Sequence, residues 1–96
     1  LDNKPVELEI TQPRSSAGNT SYLPVGLTDA DYDAYSITTV GDVTRRRIAL
    51  IVRRDTNESK ILNRAKLTDK LRIRGTARIP RDPGALSIVA DTAETL

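Results

Sequence analysis

Apolar residues in this chain recur mostly at a period of two. Val6, Leu8 and Ile10 alternate with Glu7, Glu9 and Thr11, which predicts a strand over 5–12 with one buried face. Residues 13–19 are rich in turn formers, and the next extended stretch, 20–27, is interrupted by Pro24 and Gly26. Pro24 has no amide donor, so this piece belongs at a sheet edge or a bend. A strand is expected over 35–40, after the acids Asp29, Asp31 and Asp33, and Gly41-Asp42 then punctuates the chain as a hairpin would.

Two middle segments carry the most information. In 45–54, Ile48, Leu50 and Val52 point one way, and Arg45, Arg47, Ala49, Ile51 and Arg53 point the other. In 70–80, Leu71, Ile73, Gly75, Ala77 and Ile79 alternate with Lys70, Arg72, Arg74, Thr76 and Arg78. If both strands lie in one sheet with their apolar faces aligned, seven cations share the opposite face, and a slip of one residue would bury them. The polar connection 55–69 is long for a hairpin loop and suits either an extended loop or a short helix carrying Ile61, Leu62 and Ala65.

The C-terminal segment reads in two ways. Asp82-Pro83 is a good N-cap and first-turn pair, and Leu86, Val89, Ala93 and Leu96 recur at helical spacing, so a helix is expected over 83–96. The competing pattern is a tight turn at Asp82-Pro83-Gly84 followed by the strand-like alternation of Leu86, Ile88 and Ala90.

Composition and charge sharpen this picture. The 96 residues suit one domain, 1–96, whose core must be built from aliphatic side chains, since Phe, Trp and Met are absent and the only aromatics are three Tyr. A chain so poor in bulky residues is expected to complete its core with a second copy. The net charge of +2 conceals a division: residues 43–81 hold thirteen basic residues against three acids, a net of +10, and the remainder holds two against ten, a net of −8. Such segregation suggests a polyanionic partner for the middle of the chain.

Candidate chemistry is sparse. With no His and no Cys, neither thiol nor imidazole catalysis is available, no glycine-rich phosphate loop is present, and a non-enzymatic role is expected, with no cofactor and no small-molecule substrate. Asp29, Asp31 and Asp33 resemble the opening of a calcium loop, but Ala34 and Val40 stand where that loop needs Gly and Glu, so no metal site is expected. No apolar run is long enough to suggest a membrane span.

The order of these elements resembles the coat (capsid) proteins of single-stranded RNA bacteriophages, levivirus-like proteins with an N-terminal hairpin, an antiparallel sheet and C-terminal helices that reach over a partner subunit. The hairpin would be 5–27 and the sheet 35–80, with loop 55–69 standing where the family has a long variable loop. Residues 44–54 look like the basic penultimate strand, and Ile79-Pro80-Arg81-Asp82-Pro83 looks like the final strand running into the helix 83–96. The family's second helix has no counterpart before Leu96.

The resemblance implies an α+β, mainly antiparallel fold and a homodimer that assembles into an icosahedral shell, forming virions in the bacterial host cytoplasm. It also implies that genomic RNA is bound on the sheet face of Arg45, Arg47, Arg53, Lys70, Arg72, Arg74, Thr76 and Arg78. Electrostatic contact with phosphates would suit that face without base readout. The alternative architecture is an OB-fold barrel that binds single-stranded nucleic acid, in which 44–54, a helix within 56–69, 70–80 and 85–95 are the third strand, the helix and the last two strands.

Overall fold

The computed structural model describes residues 3–15, 20–38 and 47–96, and for 12–15 and 38 the backbone alone. Among the described residues, five strands form a closed barrel: β1 (Lys4–Ser15), β2 (Tyr32–Thr38), β3 (Arg47–Arg53), β4 (Lys70–Arg78) and β5 (Ala85–Thr95). Their order around the barrel is β1-β2-β3-β5-β4, with β4 pairing back onto β1. Every pairing is antiparallel except that of β3 with β5. One helix, α1 (Asn57–Arg64), lies between β3 and β4, and a 3-10 turn (Thr20–Tyr22) lies between β1 and β2.

β1 closes the barrel because it serves two neighbours in succession. Lys4 to Thr11 pair with β4, and Thr11 to Ser15 pair with β2 across a bulge between Thr11 and Arg14. The alternation of Val6, Leu8 and Ile10 turns these side chains inward, onto a core of Tyr35, Leu50, Val52, Leu62, Leu71, Ile73 and Ile88. Leu50, Leu71 and Ile73 have no exposed surface, and each such side chain contributes about 1.5–3 kcal/mol by burial. A single chain therefore buries its own aliphatic core, and the scarcity of aromatics is met by closing the sheet on itself.

The polar connection after β3 holds the helix. Thr56 caps it, its hydroxyl oxygen accepting from the Ser59 N–H at 3.2 Å, while Glu58 in the first turn and Arg64 in the last suit the helix dipole. Leu62 is buried, and Ile61 and Ala65 pack beside it on the core. The Tyr35 hydroxyl reaches across to donate to Asn63 Oδ1 at 2.8 Å, and burial pushes its pKa above the ordinary value of 10.0, with the Asp33 charge adding to the effect.

Two expected elements take other forms. Where a helix is expected over 83–96, Ala85–Thr95 form strand β5: Asp82 Oδ1 accepts from the Gly84 N–H at 2.9 Å in a turn, and Ala85 begins a strand inserted between β3 and β4. Leu86 and Ile88 face inward and Ser87 is buried on the other side, so the start of β5 is covered on both faces. A register shift between Gly75–Ala90 and Arg74–Thr92 makes Asp91 an extra residue, which brings Ala90 and Ala93 onto the same core at a spacing of three. Gly75 permits this crossing, because a Cβ there would lie 2.3 Å from the Val89 carbonyl oxygen.

The hairpin expected over 5–27 is also absent in that form. Its second half is the 3-10 turn followed by a single bridge from Pro24 to Pro80, and the bend at Gly26 has φ +95°. The hairpin expected at Gly41-Asp42 lies outside the described residues.

Candidate nucleic-acid interface

The barrel distributes the predicted cations differently from the flat sheet that the alternation suggested. Arg45 lies outside the described residues. β3 and β4 are not neighbours, because β5 runs between them, so their outer faces meet only across its width. The outer middle of β3 is also covered: Ala49 and Ile51 are buried with Ala34 under Leu23, in a second cluster that Tyr22, Leu27, Tyr32 and Val89 border.

Arg47 and Arg53 therefore stand at opposite ends of β3. The Arg47 guanidinium is paired with Asp82 and lies 5.8 Å from the centre of the Tyr22 ring, tying β3 to both neighbouring connections. The Asp82 carboxyl is held below its usual range, chiefly by the Gly84 backbone N–H and, against a smaller opposing effect of burial, by the Arg47 charge. At the other end Arg53 is exposed, with its guanidinium 5.9 Å from the ring centre of Tyr32, its partner across the β2–β3 pair. Such a contact is worth about 0.5–1 kcal/mol at an exposed site.

Lys70, Arg72, Arg74, Thr76 and Arg78 do share the outer face of β4, as their alternation requires. Alternation does not reveal their neighbours, which are acidic. β4 lies between β1 and β5, which bring Glu7, Glu9 and Glu94 alongside it. Arg72 lies 3.3 Å from Glu7, 3.4 Å from Glu9 and 3.3 Å from Glu94, and Arg74 lies 3.7 Å from Glu7. The charges that are segregated along the sequence are thus interleaved in space around β4. Glu7 and Glu9 could be read from their alternation as outward neighbours on one strand, but not as the partners of Arg72.

Thr76 and Arg78 border a trough of about 320 Å³ with Asn3, Leu27, Tyr32 and Val89. A larger cavity of about 500 Å³ opens between β1 and the starts of β3 and β5, with Val6, Leu8, Ile48 and Leu86 among its lining residues. Among the described residues no group of three or more acids could hold a metal: Asp33 is paired with Arg54 at 3.2 Å, and Asp31 accepts from the Thr28 hydroxyl at 3.4 Å. No helix among the described residues is long and apolar enough to cross a membrane. The chain matches no family model, and no curated protein matches it.

Proposed function

We propose that this chain is an OB-fold module, non-enzymatic, that holds single-stranded nucleic acid on the outside of its barrel. The observation that carries this reading is the barrel itself: strand order β1-β2-β3-β5-β4, β3 parallel to β5, and a helix between β3 and β4 packed on the core. Fold alone does not assign a ligand. The step to nucleic acid rests on the outward cations Arg53, Lys70, Arg74 and Arg78 and on the Arg53–Tyr32 contact, which supply phosphate contacts and one aromatic surface.

The shell-forming coat reading receives less support, because the helix that would clasp a partner is replaced by β5, a strand committed to the barrel. Binding of labelled single-stranded and duplex oligonucleotides across salt tests the proposal. With Arg72 engaged by three carboxylates, three or four phosphate contacts are expected rather than seven. The log–log salt slope on single strands should then be roughly −2 to −3, at about −0.7 per contact. Absence of binding to any single strand at low salt would overturn the proposal, and megadalton particles on a sizing column would restore the coat reading.

A further inference from the structure

The platform that a barrel of this order normally offers is the outer face of β2 and β3, between the β1–β2 and β4–β5 connections. In this chain that platform is occupied by the chain itself. Leu23 is buried over Ala34, Ala49 and Ile51, and the two connections are laced together. The Arg81 N–H donates to the Leu23 carbonyl at 3.1 Å, the Asp82 N–H donates to the Ser21 carbonyl at 3.0 Å, and Pro24 bridges Pro80. A strand of nucleic acid could enter there only by breaking these contacts and exposing the second apolar cluster.

The trough lies further round the barrel, over the outer side of β5. Val89 borders it, with Leu27 and Tyr32 from one side of the barrel and Thr76 and Arg78 from the other. Registers place cations on either side of Val89. Arg78 pairs with Ser87, two residues before it, and Arg53 lies two residues beyond Ile51, the β3 partner of Val89. Arg78 is thus offset from Val89 by two residues, about 7 Å at about 3.3 Å per residue, and Arg53 lies on the opposite side of it along the barrel. Arg81 adds charge at the Leu27 side, where its guanidinium donates to the Leu27 carbonyl at 3.1 Å.

Resting on the single-strand reading above, we infer that this trough over β5, reaching the Tyr32–Arg53 end of the β2–β3 pair and avoiding the covered middle of that face, is the track of the bound strand. Arg78 and Arg53 take successive parts of the backbone, and the Leu27–Val89–Tyr32 surface receives a base. Asp91 is exposed two residues beyond Val89 on the same strand and opposes the anion, so its neutralisation should tighten binding.

Fluorescence anisotropy with labelled oligouridylate and oligothymidylate, read at several salt concentrations, tests the assignment. The double variant Arg53→Ser/Arg78→Ser should bind roughly tenfold more weakly at low salt, with a slope flatter by about 1.4, two contacts at about 0.7 each. Thr76→Glu, which puts an anion at the trough, should lose binding similarly, Asp91→Asn should gain it, and the helix variant Lys60→Ser/Arg64→Ser should match the parent. If the parent binds and both trough variants bind as well as it does, the trough assignment fails while the single-strand reading stands. If the parent binds no single strand, the reading itself fails.

Discussion

β3 and β4 carry the same alternation of cationic and aliphatic residues, yet the middle of β3 is buried on both sides while β4 keeps its outer side in water. The difference lies in what the rest of the chain places over each strand. β3 lies beneath Leu23 and the 3-10 turn, so its outward Ala49 and Ile51 become a second core, and its arginines are confined to its two ends. β4 lies between two strands that carry acids, so its arginines are matched by neighbours at the same level. Alternation identifies the side of a strand that faces the barrel interior; it does not reveal what covers the other side.

The sharpest break of this comparison is a charge placed on each outer face. Ala49→Arg should destabilise by about 3 kcal/mol or more, because an unpaired cation would sit where Ala49 has no exposed surface. Thr76→Lys on β4 should change stability by less than about 0.5 kcal/mol. Urea midpoints of the two variants measure the contrast, and equal midpoints would mean that β3 is not covered. Next in size, Leu23→Ala removes the cover itself and should cost about 2–5 kcal/mol in the same assay.

Tyr35 probes the inner side of the β2–β3 pair, where it stands opposite Leu50. Tyr35→Phe loses the bond to Asn63 and should cost about 1 kcal/mol at neutral pH. Because burial raises the folded pKa above 10.0, the stability this phenol contributes is complete below pH 10 and is lost as the pH rises through the raised value. Thermal melts of parent and variant should therefore converge as the solution is made more alkaline than pH 10. Smaller again, Arg72→Ser breaks three part-exposed ion pairs and should cost below about 1 kcal/mol, an effect that added salt reduces.

Much of the barrel's inner side was legible in the sequence. Val6, Leu8 and Ile10 on β1, Leu50 and Val52 on β3, and Leu71 and Ile73 on β4 all face the core as their alternation required. The final strand misled for a physical reason. It is covered on both faces where it runs beside β3, so inward Leu86 and outward Val89 are both apolar, and the bulge at Asp91 then returns Ala93 to the inner core, so that Leu86, Val89 and Ala93 imitate a helical period. On β4 the outward parity of Lys70, Arg72, Arg74, Thr76 and Arg78 was legible because parity is local, whereas the strands beside β4 depend on topology. Glu7 precedes Arg72 by most of the chain, and only barrel closure brings the two together.

The insertion of β5 between β3 and β4 sets the order in which the fold can be completed. During synthesis β3 and β4 are made first, and until β5 emerges each has an edge of unsatisfied amides and carbonyls that β5 will later cover. Closing the barrel requires β5 to pair with two strands that are not neighbours, a non-local step of the kind that slows folding. A chain whose β5 is unpaired therefore offers two bare strand edges to another copy, the geometry from which strand exchange and aggregation start.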